Sequence, residues 1–78
     1  MELGTRIKKI LKFKGLTQKD LAIGIKVNQC AITRWVNNLL KPKVDNLEKI
    51  ANFLGITIFE LLGYSKVFDD LLEKATQD

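Results

Sequence analysis

Three places in this chain carry the same device: a polar residue with a side-chain oxygen sits between two apolar residues five apart, just ahead of an apolar helical stripe. They are Thr17 between Leu16 and Leu21, Asn28 between Val27 and Ile32, and Thr57 between Ile56 and Leu61. Such a residue caps a helix by accepting a hydrogen bond from its first turn, and the flanking pair staples the incoming chain to the helix body. Asp20 and Glu60, three residues beyond the threonines, complete two capping boxes. A chain that restarts a helix this often is confined to short helices meeting at sharp angles.

Period counting fills in the rest. Leu3, Ile7, Ile10 and Leu11 predict a first helix over residues 2–14, with Arg6, Lys8, Lys9 and Lys12 on its other faces and Gly15 ending it. The second runs from Gln18 to Gly24. The third runs from Gln29 to Asn37, with Ile32 and Trp35 turned inward. "NNLLKP" breaks the pattern. Val44, Leu47, Ile50, Ala51 and Leu54 restore it as far as Gly55, and a fifth helix covers Ile58 to Leu62. No segment alternates with period two, so the fold class is all-α.

At 78 residues there is room for one core and none for a separate substrate domain, so function belongs on the surface. No histidine is present and Cys30 is the single cysteine, which removes the usual zinc sets and the Cys-His and Ser-His-Asp arrangements. No catalytic residue, metal or cofactor is expected, and the chain does not read as an enzyme. No apolar run approaches the ~18 residues of a membrane span, and "MELGTRIKKILKF" has no signal-peptide cleavage site, so a cytoplasmic location and no membrane partner are expected. Charge is strongly segregated. Residues 1–43 hold ten Lys or Arg against two acids, and residues 44–78 hold three against seven. The basic half fits either a polyanionic partner or an ordinary solvated surface with clustered charge, and the helices have to decide between them.

A helix broken by a tight turn can lay one piece across a DNA backbone and the other in the major groove. In "LTQKDLA", "VNQCAITRWVNN", Lys41-Pro42 and "LEKIANFLGITIFELL" the chain strongly resembles the phage-repressor and Cro-like helix-turn-helix family, also called the Xre family. The resemblance covers most of Leu3 to Gly63. It implies a compact five-helix, lambda-repressor-like DNA-binding domain over 1–63, with its helix-turn-helix core at 17–37. It also implies a sequence-specific regulator of bacterial or phage type, a repressor that binds a palindromic double-stranded operator as a homodimer. A protein-interaction module, such as an antitoxin-like partner using the acidic C-terminal half, is the rival reading.

By resemblance, Gln18 contacts phosphate and braces the first residue of the reading helix. Gln29 is that residue, and its amide can pair bidentately with adenine. Cys30, Thr33 and Arg34 share its outward side by helical spacing. Arg34 can read guanine or clamp phosphate, and Cys30 can pack a thymine methyl or simply fill space. Asn37, Asn38, Lys41 and Lys43 follow the helix where the family contacts backbone. Trp35, Phe53 and Phe59 are assigned to the core rather than to base stacking.

Two positions depart from the family pattern. Lys26 stands where the turn usually has glycine, and a left-handed lysine would cost about 1 kcal/mol, so a slightly different turn is expected. Leu11 and Val36 stand where the family often pairs arginine with glutamate, so packing should replace an ion pair and bring the two into touch. Beyond Gly63, Ser65 is an N-cap candidate for a sixth helix over residues 66–76 within the extension 64–78. Its stripe of Val67, Phe68, Leu71, Leu72 and Ala75 can pack on its own domain or on a second copy. With Ile58, Phe59 and Leu62, that stripe supplies the remaining apolar candidates for a dimer interface. No small-molecule ligand is expected.

Overall fold

The computed structural model describes residues 1–76. Residues 77 and 78, the end of the expected extension, lie outside the described residues. Six helices follow one another: α1 (Leu3–Lys14), α2 (Gln18–Ile25), α3 (Gln29–Val36), α4 (Val44–Leu54), α5 (Ile58–Leu62) and α6 (Lys66–Thr76). Among the described residues there is no strand, so the fold is all-α.

The helix starts are built as the local pattern requires. Thr17 Oγ accepts from the Asp20 N–H at 3.0 Å while Asp20 accepts from the Thr17 N–H at 2.8 Å, and Thr57 and Glu60 repeat this reciprocal pair. Asn28 Oδ1 accepts from the Cys30 N–H at 2.7 Å, and Ser65 Oγ accepts from the Phe68 N–H at 3.2 Å. The staple residues Leu16, Val27 and Ile56 pack against the core, where Leu21, Ile32 and Leu61 are buried.

The turn between α2 and α3 keeps the left-handed geometry, contrary to expectation, with Lys26 itself at φ 57 and ψ 46. The Lys26 N–H donates to the Ile23 carbonyl and the Val27 N–H to that of Ala22, at 3.3 and 3.0 Å. Closing the end of α2 in this way offsets the steric cost that a lysine carries there.

One core unites all six helices: Ile7, Ile10 and Leu11 meet Leu21, Ala22, Ile25, Ile32, Trp35, Val36, Ile50, Ala51, Leu54 and Leu61, with Phe68 and Leu72 from α6. Helix α1 is central and packs on α3, α4, α5 and α6. Leu11 and Val36 are both sealed in this core, 2% and 1% exposed.

Four expectations about faces change. Arg6 is only 7% exposed rather than on an outer face. Its Nε donates to the Leu61 carbonyl at 3.0 Å, and its Nη2 to the Glu60 carbonyl at 2.7 Å and to Asp69 Oδ1 at 2.9 Å, tying α1 to α5 and α6. These acceptors satisfy a buried cation that burial would otherwise penalise. Phe59 is 69% exposed rather than in the core, because the single turn of α5 turns Leu61 inward and Phe59 away. Val44 is exposed because α4 begins beyond the edge of the core. Finally, the stripe on α6 divides: Phe68 and Leu72 pack within the chain, while Val67 and Leu71 face solvent. Phe13 of α1 meets Phe68 edge to face, with ring centroids 6.5 Å apart. Leu72 and Phe68 thus make α6 part of the same core as residues 1–63.

Candidate nucleic-acid interface

Helix α3 has two unlike sides. Ile32, Trp35 and Val36 are buried, whereas Gln29, Cys30, Thr33, Arg34 and the following Asn37 are exposed. Their spacing of one, four, five and eight residues puts the exposed set on one helical face. The core therefore holds α3 by one side and presents the other.

Its donors and acceptors differ in availability. The Thr33 hydroxyl donates to the Gln29 carbonyl at 3.1 Å, so toward a ligand it offers lone pairs and a methyl group. The Gln29 amide, with two donors and an acceptor, makes no bond among the described residues and can pair in one plane. Arg34 is exposed in the last turn, where its cation also suits the negative end of the helix dipole. Cys30 is an exposed free thiol.

Bracing comes from a junction that sequence reasoning did not reveal. Asn38, left-handed at φ 61, accepts from the Gly4 N–H at 2.8 Å and donates to Thr5 Oγ at 3.2 Å. A residue after α3 thereby caps α1, whose own N-cap residue Glu2 makes no side-chain cap bond. Gly4 allows the approach: a Cβ there would lie 2.2 Å from the Trp35 carbonyl oxygen. The end of α3 is thus fixed to α1. Asparagine's tolerance of left-handed backbone was readable locally, but its partner 34 residues away was not.

Gln18 is half-buried at the start of α2, and among the described residues no hydrogen bond joins it to Gln29. Lys41 and Lys43 are exposed in the segment leading into α4, and Lys43 makes no side-chain cap bond there. The carboxyl of Asp20 is held below its ordinary value by the Thr17 backbone N–H and hydroxyl, so this acid near the interface stays ionised. Elsewhere, α5, the following turn and α6 carry exposed apolar side chains at Phe59, Leu62, Tyr64, Val67 and Leu71. Further exposed apolar side chains stand at Ile23, Leu39, Leu40 and Val44, so the C-terminal face is not the sole apolar candidate for an interface. Among the described residues no helix is long and apolar enough to cross a membrane.

The helix-turn-helix family model matches residues 7–61. Over 63 residues the chain is 34% identical to the HTH-type transcriptional activator BcrR of Enterococcus faecalis, covering 81% of this chain and 31% of that protein. Over 48 residues it is 42% identical to a 26 kDa repressor protein of Escherichia phage HK022, covering 62% of this chain and 20% of that one. The chain therefore spans a third or less of the length of these relatives. No solved structure matches.

Proposed function

Because the chain belongs to the helix-turn-helix family, we propose that it is a sequence-specific regulator of transcription that reads the major groove of double-stranded DNA with α3. The observation that carries this reading is the exposed face of Gln29, Cys30, Thr33, Arg34 and Asn37 on a helix whose opposite side is anchored in the core. Gln29 and Arg34 have the donor and acceptor patterns for adenine and guanine edges, while Lys41, Lys43, Gln18 and Asn37 serve the phosphates. The Asn38 side chain is engaged by α1, so its part is to hold the end of α3.

The related proteins include an activator and a repressor. We assign repression, since blocking a promoter requires only that the site be occupied, and we place the activity in the cytoplasm. The exposed apolar face on α5 and α6 supports a homodimer bound to a palindromic operator. The same face, beside the acidic residues of the C-terminal half, also favours a second reading, in which the chain binds another protein as an antitoxin-like partner.

Binding to selected and unrelated duplexes across a range of salt separates the two. A regulator shows a preferred sequence and a steep fall of affinity with salt; indifference to DNA supports the interaction module. Gln29→Ala is expected to cost about 1–3 kcal/mol at one base pair and to relax preference there. Lys43→Ala should weaken all duplexes alike and flatten the salt slope by about one unit. Equal, sequence-independent losses in both variants would remove Gln29 from base reading.

A further inference from the structure

Between α3 and α4 two leucines stand in water among polar and cationic neighbours: Leu39 is 76% and Leu40 51% exposed, with Asn37 before them and Lys41 and Lys43 after. They are not on a loose loop. The N–H groups of both donate to the Arg34 carbonyl, at 2.9 and 3.3 Å, so each is tied to the last turn of α3. Asn38 beside them is pinned to Gly4 and Thr5, and Pro42 is buried. The pair therefore keeps one position relative to the face that carries Gln29 and Arg34.

We propose that Leu39 and Leu40 pack on deoxyribose rings of the DNA strand bordering the groove that α3 enters. This rests on the DNA-reading role proposed above. A reading helix contacts bases mainly through its N-terminal residues, which leaves its C-terminal end beside the groove wall, where the sugar-phosphate chain runs. Between its phosphates that chain presents sugar C–H surface. Leucine can meet this surface, and lysines on the same segment can meet the charges on either side. A second copy of the chain is a poorer occupant, because a two-fold self-contact here would bring Lys41 and Lys43 against their own equivalents. The leucines then contribute affinity that depends neither on base sequence nor on salt, alongside the ionic contribution of the lysines.

The test uses the full chain and measures affinity for a selected and an unrelated duplex at several salt concentrations, with melting and sedimentation of the free protein alongside. The variant L39A with L40A should bind both duplexes roughly tenfold more weakly with an unchanged salt slope. L39M should retain most of the affinity, and K43A should change the slope. Because the leucines are exposed, melting of the double variant should match that of the unchanged chain. Unaltered affinity, a changed slope, or a loss that follows a shift in the sedimentation of free protein would overturn the proposal, the last by assigning the leucines to a contact between copies. If the unchanged chain binds no duplex at any salt, the DNA-reading role itself fails and this contact fails with it.

Discussion

At the scale of single residues, two side chains at the turns show how local geometry is paid for. Lys26 holds a left-handed conformation that favours glycine, with no side-chain hydrogen bond among the described residues in return. Lys26→Gly should therefore stabilise the fold by roughly 0.5–1 kcal/mol after glycine's own entropic cost, raising the melting temperature by a few degrees. A melting temperature that stays put or falls would show that the lysine's stem contributes packing of equal size. Asp20 supplies the pH dependence. Thr17 holds its carboxyl below the ordinary value of 3.8, so its contribution to folding is fully present above that value and is lost as pH falls through the lowered folded one. Asp20→Asn should give a flatter acid limb in a pH series of urea unfolding; an identical limb would mean that the capping box is not coupled to folding.

At the scale of helices, α1 and α3 pack on each other in the common core, and the contact expected between Leu11 and Val36 is testable by mutation. Leu11 and Val36 are both buried in the common core, and the Gly4–Asn38 junction ties the start of α1 to the residues just after α3. Leu11→Ala is expected to cost roughly 2–4 kcal/mol through the cavity it leaves, with little dependence on salt. Leu11→Arg should cost more than Leu11→Ala by stranding a charge, and adding Val36→Glu should recover part of the loss. A double-mutant cycle without coupling between the two positions would show that they do not interact. Arg6 and Asp69 join α1 to α6 through a different geometry, in which the guanidinium also serves two carbonyls at the end of α5.

At the scale of the whole molecule, size and surface bear on assembly. The domain measures 31 × 24 × 22 Å, so two abutting copies place equivalent points about as far apart as half-sites separated by one DNA turn of ~34 Å. The apolar surface of Phe59, Leu62, Tyr64, Val67 and Leu71 is the face proposed for that contact. Phe59→Ser combined with Leu71→Ser should give a monomer by sedimentation at micromolar concentration, and its melting temperature should lose the dependence on protein concentration that dimerisation confers. It should also lose the preference for a palindrome over a single half-site. An unchanged chain that sediments as a monomer at high micromolar concentration, with and without a palindromic duplex, would count against the homodimer.

Helix positions, caps and the outward set on α3 were legible because each depends on residues within a few places of one another. Thr17 meets Asp20, Thr57 meets Glu60, and Ile32 with Trp35 defines the inward side from which Gln29 and Arg34 are excluded. The same local reading misassigned Arg6, Phe59 and Val44, whose burial depends on neighbours distant in sequence or on where a helix outruns the core. Tertiary structure alone decided that Asn38 caps α1, that Gly4 lies against the Trp35 carbonyl, and that α6 gives Phe68 and Leu72 to its own domain while leaving Val67 and Leu71 outside. The physical reason is that periodicity specifies which side of a helix is apolar, whereas its partner is chosen only when all six helices compete to bury their stripes in one core.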